Sequence, residues 1–125
     1  MKKVVAAIII LLTIIVAGIL EAVYIDNIFG ELNGELDTIT EQVKNNDEKS
    51  LESINALIEW WEKKRSYIEM FAYSPDLRSF SIALAEAKGS IECGDFENAL
   101  SKCESLKTMA ANIHKVLDFN GLDII

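Results

Sequence analysis

The stretch from Val4 to Ile25, VVAAIIILLTIIVAGILEAVYI, carries a single charge, Glu21, and this constrains the chain more than any other feature. As a helix the uncharged part, Val4 to Leu20, is ~26 Å long at ~1.5 Å per residue, and continuing to Ile25 completes a hydrocarbon core of ~30 Å. The expectation is one transmembrane helix, with residues 1–25 as an N-terminal membrane anchor contacting the bilayer through residues 4–25. Lys2 and Lys3 precede the run, while Asp26, Glu31, Glu35, Asp37 and Glu41 all come before the next cation, Lys44. That asymmetry sets the N-terminus in the cytoplasm and the bulk of the chain outside the cytoplasmic membrane of a bacterium. A cleaved signal peptide is the rival reading, because Lys-Lys, an apolar core and small residues near Ala17 and Gly18 occur in the right order. Cutting after Gly18 would leave ILEAVYI as an apolar new terminus, and the run exceeds the usual ~7–15-residue signal core. Glu21 lies about a turn from the outer boundary, where its carboxylate can reach headgroup water and Tyr24 can join the aromatic belt.

About one hundred residues follow the anchor, enough for one small domain. Lys2 and Lys3 are two of the twelve Lys and Arg, and no acid precedes Val4, so the rest carries ten basic against twenty acidic residues. A formal charge of −10 opposes approach to phosphate backbones, which excludes nucleic acid as the natural partner.

Beyond the anchor the pattern is helical throughout. Ile25, Phe29, Leu32, Leu36, Ile39 and Val43 recur at alternating steps of four and three, a heptad seam in phase with the membrane helix. Residues 26–46 therefore read as a helical stalk with a partner along its seam, either another membrane protein or a second copy. Gly30 and Gly34 each cost about 1 kcal/mol in a helix relative to Ala, and the expectation is a kinked or frayed turn there, a hinge just above the membrane.

Residues 47–125 read as a bundle domain of helices near 48–73, 75–93 and 95–119. Asn45-Asn46-Asp47 breaks the pattern, and Asp47 or Ser50 can cap the next helix. Its seam is Leu51, Ile54, Ile58, Trp61, Arg65, Ile68 and Ala72, flanked by Leu57, Trp60, Lys64, Tyr67 and Phe71. Ser74-Pro75-Asp76 supplies a cap, a first-turn proline and a charge suited to the positive helix end. Leu77, Phe80, Leu84, Ala87 and Ile91 form the next seam, with Ala83, Ala85 and Ala87 allowing close approach. Cys93-Gly94-Asp95 closes that helix on a left-handed glycine and caps the next one. Phe96, Ala99, Leu100, Cys103, Leu106, Ala110, Ile113 and Leu117 share one side of the last helix. Gly121 ends it, and Leu122, Ile124 and Ile125 form an apolar tail against the bundle or a partner.

Chemistry-bearing motifs are sparse. Cys93 and Cys103 should stand too far apart for the ~7 Å Cα separation that a bridge tolerates, so both are expected to be buried free thiols. No His or further Cys stands at ligand spacing, so no metal and no cofactor are expected. His114, the only histidine, reads as a surface or groove-edge residue, since no triad converges on it. Ser79, Ser81, Ser90, Ser101 and Ser105 read as polar helix faces, and Glu59, Glu62 and Glu69 interleave with Lys63, Lys64 and Arg65 as an ion-paired face. The chain is expected not to be an enzyme.

The segment Trp60-Trp61-Glu62-Lys63-Lys64-Arg65-Ser66-Tyr67 is the most specified. Adjacent tryptophans point about 100° apart on a helix. Trp60, Lys64 and Tyr67 can present an aromatic and cationic surface of the kind found in binding hot spots, while the alternative is that both rings fill the core with the Lys64 and Arg65 stems over them.

The layout resembles a family of short bacterial proteins, clostridial in type, known as domain of unknown function 4363. The resemblance rests on the anchor with Lys2-Lys3, the helix WWEKKRSY, the acidic third helix from Asp76, the turn GDFENAL and Asn120 in FNGLDII. It implies a membrane-anchored helical protein acting beside another membrane protein, and it transfers no activity and no functional residue. The combined expectation is an all-α protein: a membrane helix continuing into a stalk, then a small antiparallel bundle. Its role would be an interaction module or accessory subunit, with Phe29, Leu32, Leu36, Ile39, Val43, Trp60, Lys64 and Tyr67 as the candidate interface. The alternative is an extracytoplasmic ligand sensor that passes a tilt through the Gly30/Gly34 hinge to a membrane partner.

Overall fold

A computed structural model describes residues 1–70 and 74–124, with side chains as far as Leu117. The described chain is helical: α1 (Lys2–Lys44), α2 (Lys49–Glu69), α3 (Pro75–Glu92) and α4 (Phe96–Ile124). α1 pairs with α2 and α4, and α3 closes the bundle against both α2 and α4.

The turns are built by the residues that suit them. α1 ends at Lys44 with Asn45 as its C-cap; Asn46 beyond it takes a left-handed φ of 53°, and the Asp47 N–H returns to the Gln42 carbonyl over 2.9 Å. Asp47 then accepts the Lys49 N–H at 2.9 Å and so satisfies one free donor of the first turn, while the N-cap position itself is Glu48, which makes no side-chain cap bond. Ser50, the other candidate, is instead buried, and its hydroxyl has no hydrogen-bond partner among the described residues. At the third helix Ser74 holds the extended cap backbone (φ −147°, ψ 123°) with Pro75 in the first turn, although its hydroxyl makes no cap bond. Gly94 takes φ +74°, the Asp95 N–H reaches the Ser90 carbonyl at 3.0 Å, and the Asp95 carboxylate accepts the Asn98 N–H at 3.2 Å.

Two helix ends differ from expectation. α2 ends at Glu69, and Phe71, Ala72 and Tyr73 lie outside the described residues. α4 continues through Gly121 to Ile124, because an interior glycine costs a helix only about 1 kcal/mol. The expected docking of Leu122, Ile124 and Ile125 lies outside the described side chains.

α1 carries the largest consequence. It runs unbroken through Gly30 and Gly34, so the expected kink or frayed turn is not there. Two glycines cost about 2 kcal/mol, whereas each large apolar side chain buried on the opposite face returns about 1.5–3 kcal/mol. Ile25, Ile28, Phe29, Leu32, Leu36, Ile39 and Val43 are all buried there. They merge with Ile54, Leu57, Trp61 and Ile68 of α2, with the full α3 seam, and with Ala99, Cys103, Leu106, Ala110, Ile113 and Leu117 of α4 in one core. The helical continuation expected for 26–46 is therefore also a wall of the bundle. Its first half is different: α1 is long and apolar enough there to cross a membrane, and none of that window is buried inside the structure.

Candidate functional site

The stalk seam does not face outward. Phe29, Leu32, Leu36 and Ile39 have no exposed surface and Val43 has 1%. As an interface with another protein these five positions are corrected: α2 and α4 of the same chain already cover them. A heptad periodicity shows that a stripe is buried, and an antiparallel neighbour later in the chain satisfies it as well as a second molecule does.

The other three candidates do form a surface. Trp60, Lys64 and Tyr67 stand at i, i+4 and i+7, so they line one edge of α2, on the side that meets α1. Trp60 packs partly against the core and borders an open groove with Glu31, Glu35, Ala56 and Leu57. One turn on, the Lys64 ammonium lies 5.8 Å from the centre of the Tyr24 ring, near the limit for a cation–π contact. Tyr67 ends the row, 55% exposed. Next to them Arg65 joins Glu62 and Glu69 in the ion-paired face expected there, with 3.4 Å to Glu69.

Trp61 takes the opposite role. It is fully buried, meets Phe80 edge-on at 4.7 Å between centroids and Phe29 at 6.3 Å, and donates its indole N–H to Ser81 Oγ at 2.9 Å. The Ser81 hydroxyl in turn donates a hydrogen bond to the Leu77 carbonyl at 3.2 Å. Of the two readings of the tryptophan pair, Trp61 is core and Trp60 is groove.

The α1–α4 junction holds what sequence reasoning missed. His114 stacks flat on Phe29, with ring centroids 5.0 Å apart and planes 2° from parallel, and its Nε2 lies 2.7 Å from Asp26 Oδ1. A neutral ring can donate Nε2–H to the carboxylate, and a protonated one makes an ion pair. The residues are 88 positions apart. His114 is thus a partly exposed surface residue, within the expectation, with a specific acceptor across the junction. Two turns up, Lys107 reaches Asp37 at 3.0 Å, and this hydrogen bond holds the lysine's pKa above its ordinary value. Cys103 is fully buried, and burial pushes its thiol pKa up, opposed in part by a hydrogen bond with Thr40. Both thiols are free, but Cys93 is exposed, contrary to expectation, because it is the cap residue where the chain turns away from the core.

The side chains gathered here are aromatic and charged. Among the described residues, no group of three or more His, Cys, Asp or Glu stands close enough to hold a metal ion. The model of a family described as Domain of unknown function (DUF4363) matches residues 19–122. The chain belongs to that family. No curated protein and no solved structure matches. The DUF4363 match takes in the whole bundle, including every residue of the α2 edge and both partners of the His114–Asp26 contact. It starts inside the apolar run, at Ile19, and so reaches across the point where α1 passes from the exposed segment into the core.

Proposed function

We propose that this DUF4363 protein is a single-pass membrane protein of the bacterial cytoplasmic membrane, N-terminus inside and bundle outside. It would serve as an interaction module, or accessory subunit, of another membrane protein or of a second copy. The observation that carries this reading is the unbroken α1, whose residues 4–17 are exposed and apolar but for Thr13 and whose second half is core of the bundle. A helix packed beside the first half in the membrane would thereby be joined rigidly to the bundle. The charge asymmetry of Lys2 and Lys3 against the acids from Asp26 onward supports the orientation. With the heptad seam occupied internally, the surfaces left for a protein partner are the sides of the apolar segment and the Trp60–Lys64–Tyr67 edge. Aromatic and basic residues of that kind are enriched in binding hot spots.

A crosslinking pull-down of the full-length protein from native membranes tests it, run beside a version whose residues 1–24 are replaced by a cleavable signal peptide. Recovery of one membrane protein, or of the chain itself, only with the native segment is the expected result. Identical recovery from both versions, or none from either, would contradict the reading. The sensor reading keeps one supporting observation, the groove that sets Trp60 beside Glu31 and Glu35, a combination suited to an organic cation. A cation-induced rise in the melting temperature of the full chain would favour it.

A further inference from the structure

The register of the helices sets the depth of the bundle. α2 and α4 both run back along α1: Trp61 meets Phe29, Lys64 lies over Tyr24, and His114 pairs with Asp26. Neither helix stops at that level. Met70 lies six residues beyond Lys64, ~9 Å further along, which brings it level with about Gly18 of α1. The backbone of α4 continues ten residues beyond His114, ~15 Å, to Ile124. Two ends of the bundle therefore descend beside the apolar segment.

The surface of α1 agrees. On the side that faces the core, Gly18 and Glu21 are half-buried, while the rest of residues 1–23 is exposed. Gly30 and Gly34, on the outer side of the same helix, are fully open by comparison. Tyr67, 55% exposed, and Met70, 81% exposed, reach this level, with Val116, 43% exposed, near the level of Tyr24; of the polar side chains exposed beside them, Glu69 is turned back to Arg65 at 3.4 Å, while Ser66 and Lys115 stand at the upper edge.

Resting on the reading that α1 crosses a membrane, we infer that this end of the bundle, Tyr67 and Met70 with Val116, is a lipid-contacting surface sunk into the outer interfacial layer. Membrane thickness argues for lipid as the occupant. If the hydrocarbon ended beneath Met70, Val4 to Gly18 would supply only ~22 Å of the ~30 Å core. Letting the segment span its full length places Met70 and Tyr67 among the headgroups and upper acyl chains. Tyrosine suits that layer, with an apolar ring and a hydroxyl that reaches water. Because the chain carries net negative charge, apolar contact holds the surface there, and zwitterionic lipid is sufficient.

The test uses the full-length protein with Cys93→Ser in phosphatidylcholine vesicles, the buried Cys103 being left in place. Single cysteines replace Met70, Val116, Ile9 or Glu48, each bearing an environment-sensitive fluorophore, and nitroxide-labelled lipid is the quencher. Quenching at Met70 and Val116 several-fold above that at Glu48, at the far end of the bundle, is the expected result. Quenching at Ile9 without quenching at Met70 and Val116 would overturn the inference while leaving the membrane segment intact. A blue shift at Met70 without lipid quenching would show a second copy covering the surface, and would also overturn it. No quenching at Ile9 would remove the membrane reading and this inference together.

Discussion

The two halves of α1 are one continuous helix in two environments. In the first, Ile9, Leu12 and Val16 are 58%, 56% and 53% exposed and apolar residues surround the axis; in the second, Phe29, Leu32 and Leu36 are completely buried on one stripe while Glu31, Glu35 and Thr38 face out. A helix apolar all round needs a surrounding apolar medium, whereas a striped helix needs only neighbours on one side. The chain supplies those neighbours for the second half from α2 and α4. The heptad seam is thus covered within the molecule, and only the first half and the outer edges stay open to any partner.

The sharpest way to break this contrast is to charge the stripe. Leu36→Asp with Ile39→Asp buries two carboxylates without partners, and the expected loss exceeds about 4 kcal/mol, enough to unfold a domain of this size. Protease sensitivity of the bundle in vesicles should rise sharply while insertion of the apolar half is unchanged. Retention of a protected bundle would show that the seam is not its core.

Next in size is the tryptophan pair. Trp61→Ala removes a fully buried ring and the N–H that Ser81 accepts, with an expected cost of about 3–5 kcal/mol, while Trp60→Ala, at the groove, should cost about 1–2 kcal/mol. Urea titrations of the two variants should separate them clearly. Equal midpoints would contradict the assignment of one ring to core and the other to groove.

A smaller effect of opposite sign is expected at the glycines. A methyl at Gly30 or Gly34 meets nothing within 4 Å, so Gly→Ala should raise stability by up to about 1 kcal/mol at each position. If Gly30→Ala with Gly34→Ala also weakens recovery in the crosslinking experiment, a partner helix approaches along that outer face. Unchanged recovery restricts the contact to the apolar half and the α2 edge.

The smallest effect concerns the thiols. Because the folded pKa of Cys103 is raised, its contribution is complete below the ordinary thiol pKa of ~8.5 and is lost as pH rises through the folded value. Melting temperature should therefore fall above about pH 8.5, and Cys103→Ala should show a shallower fall. In native protein a thiol reagent should modify Cys93 quickly and Cys103 only on unfolding.

Much of this architecture is legible from residue order, and the failures are physical. Gly94 and Pro75 announce their turns because only special backbone geometry suits them, and the α3 seam reads off directly from its 3.6-residue period. The stripe on α1 was equally legible, but periodicity carries no information about which surface covers it. No break forms at Gly30 and Gly34, because their local cost of about 2 kcal/mol is outweighed by the burial opposite, which a local reading does not contain. The exposure of Cys93 is not legible, because helix seams say nothing of a cap residue that turns outward. At the candidate site the Trp60–Lys64–Tyr67 edge is a local spacing and could be read, whereas His114 on Phe29 and Asp26 joins positions 88 apart and depends on the register of α4.

An unbroken α1 should join the apolar half and the bundle as one rigid body. The most direct measurement is the distance between spin labels at Ile9→Cys and Thr38→Cys in vesicles, with Cys93→Ser and Cys103→Ala. These positions share the outer face of the helix, 29 residues apart, and the account predicts one narrow distribution near ~44 Å. A broad or markedly shorter distribution would place a hinge between them and contradict it.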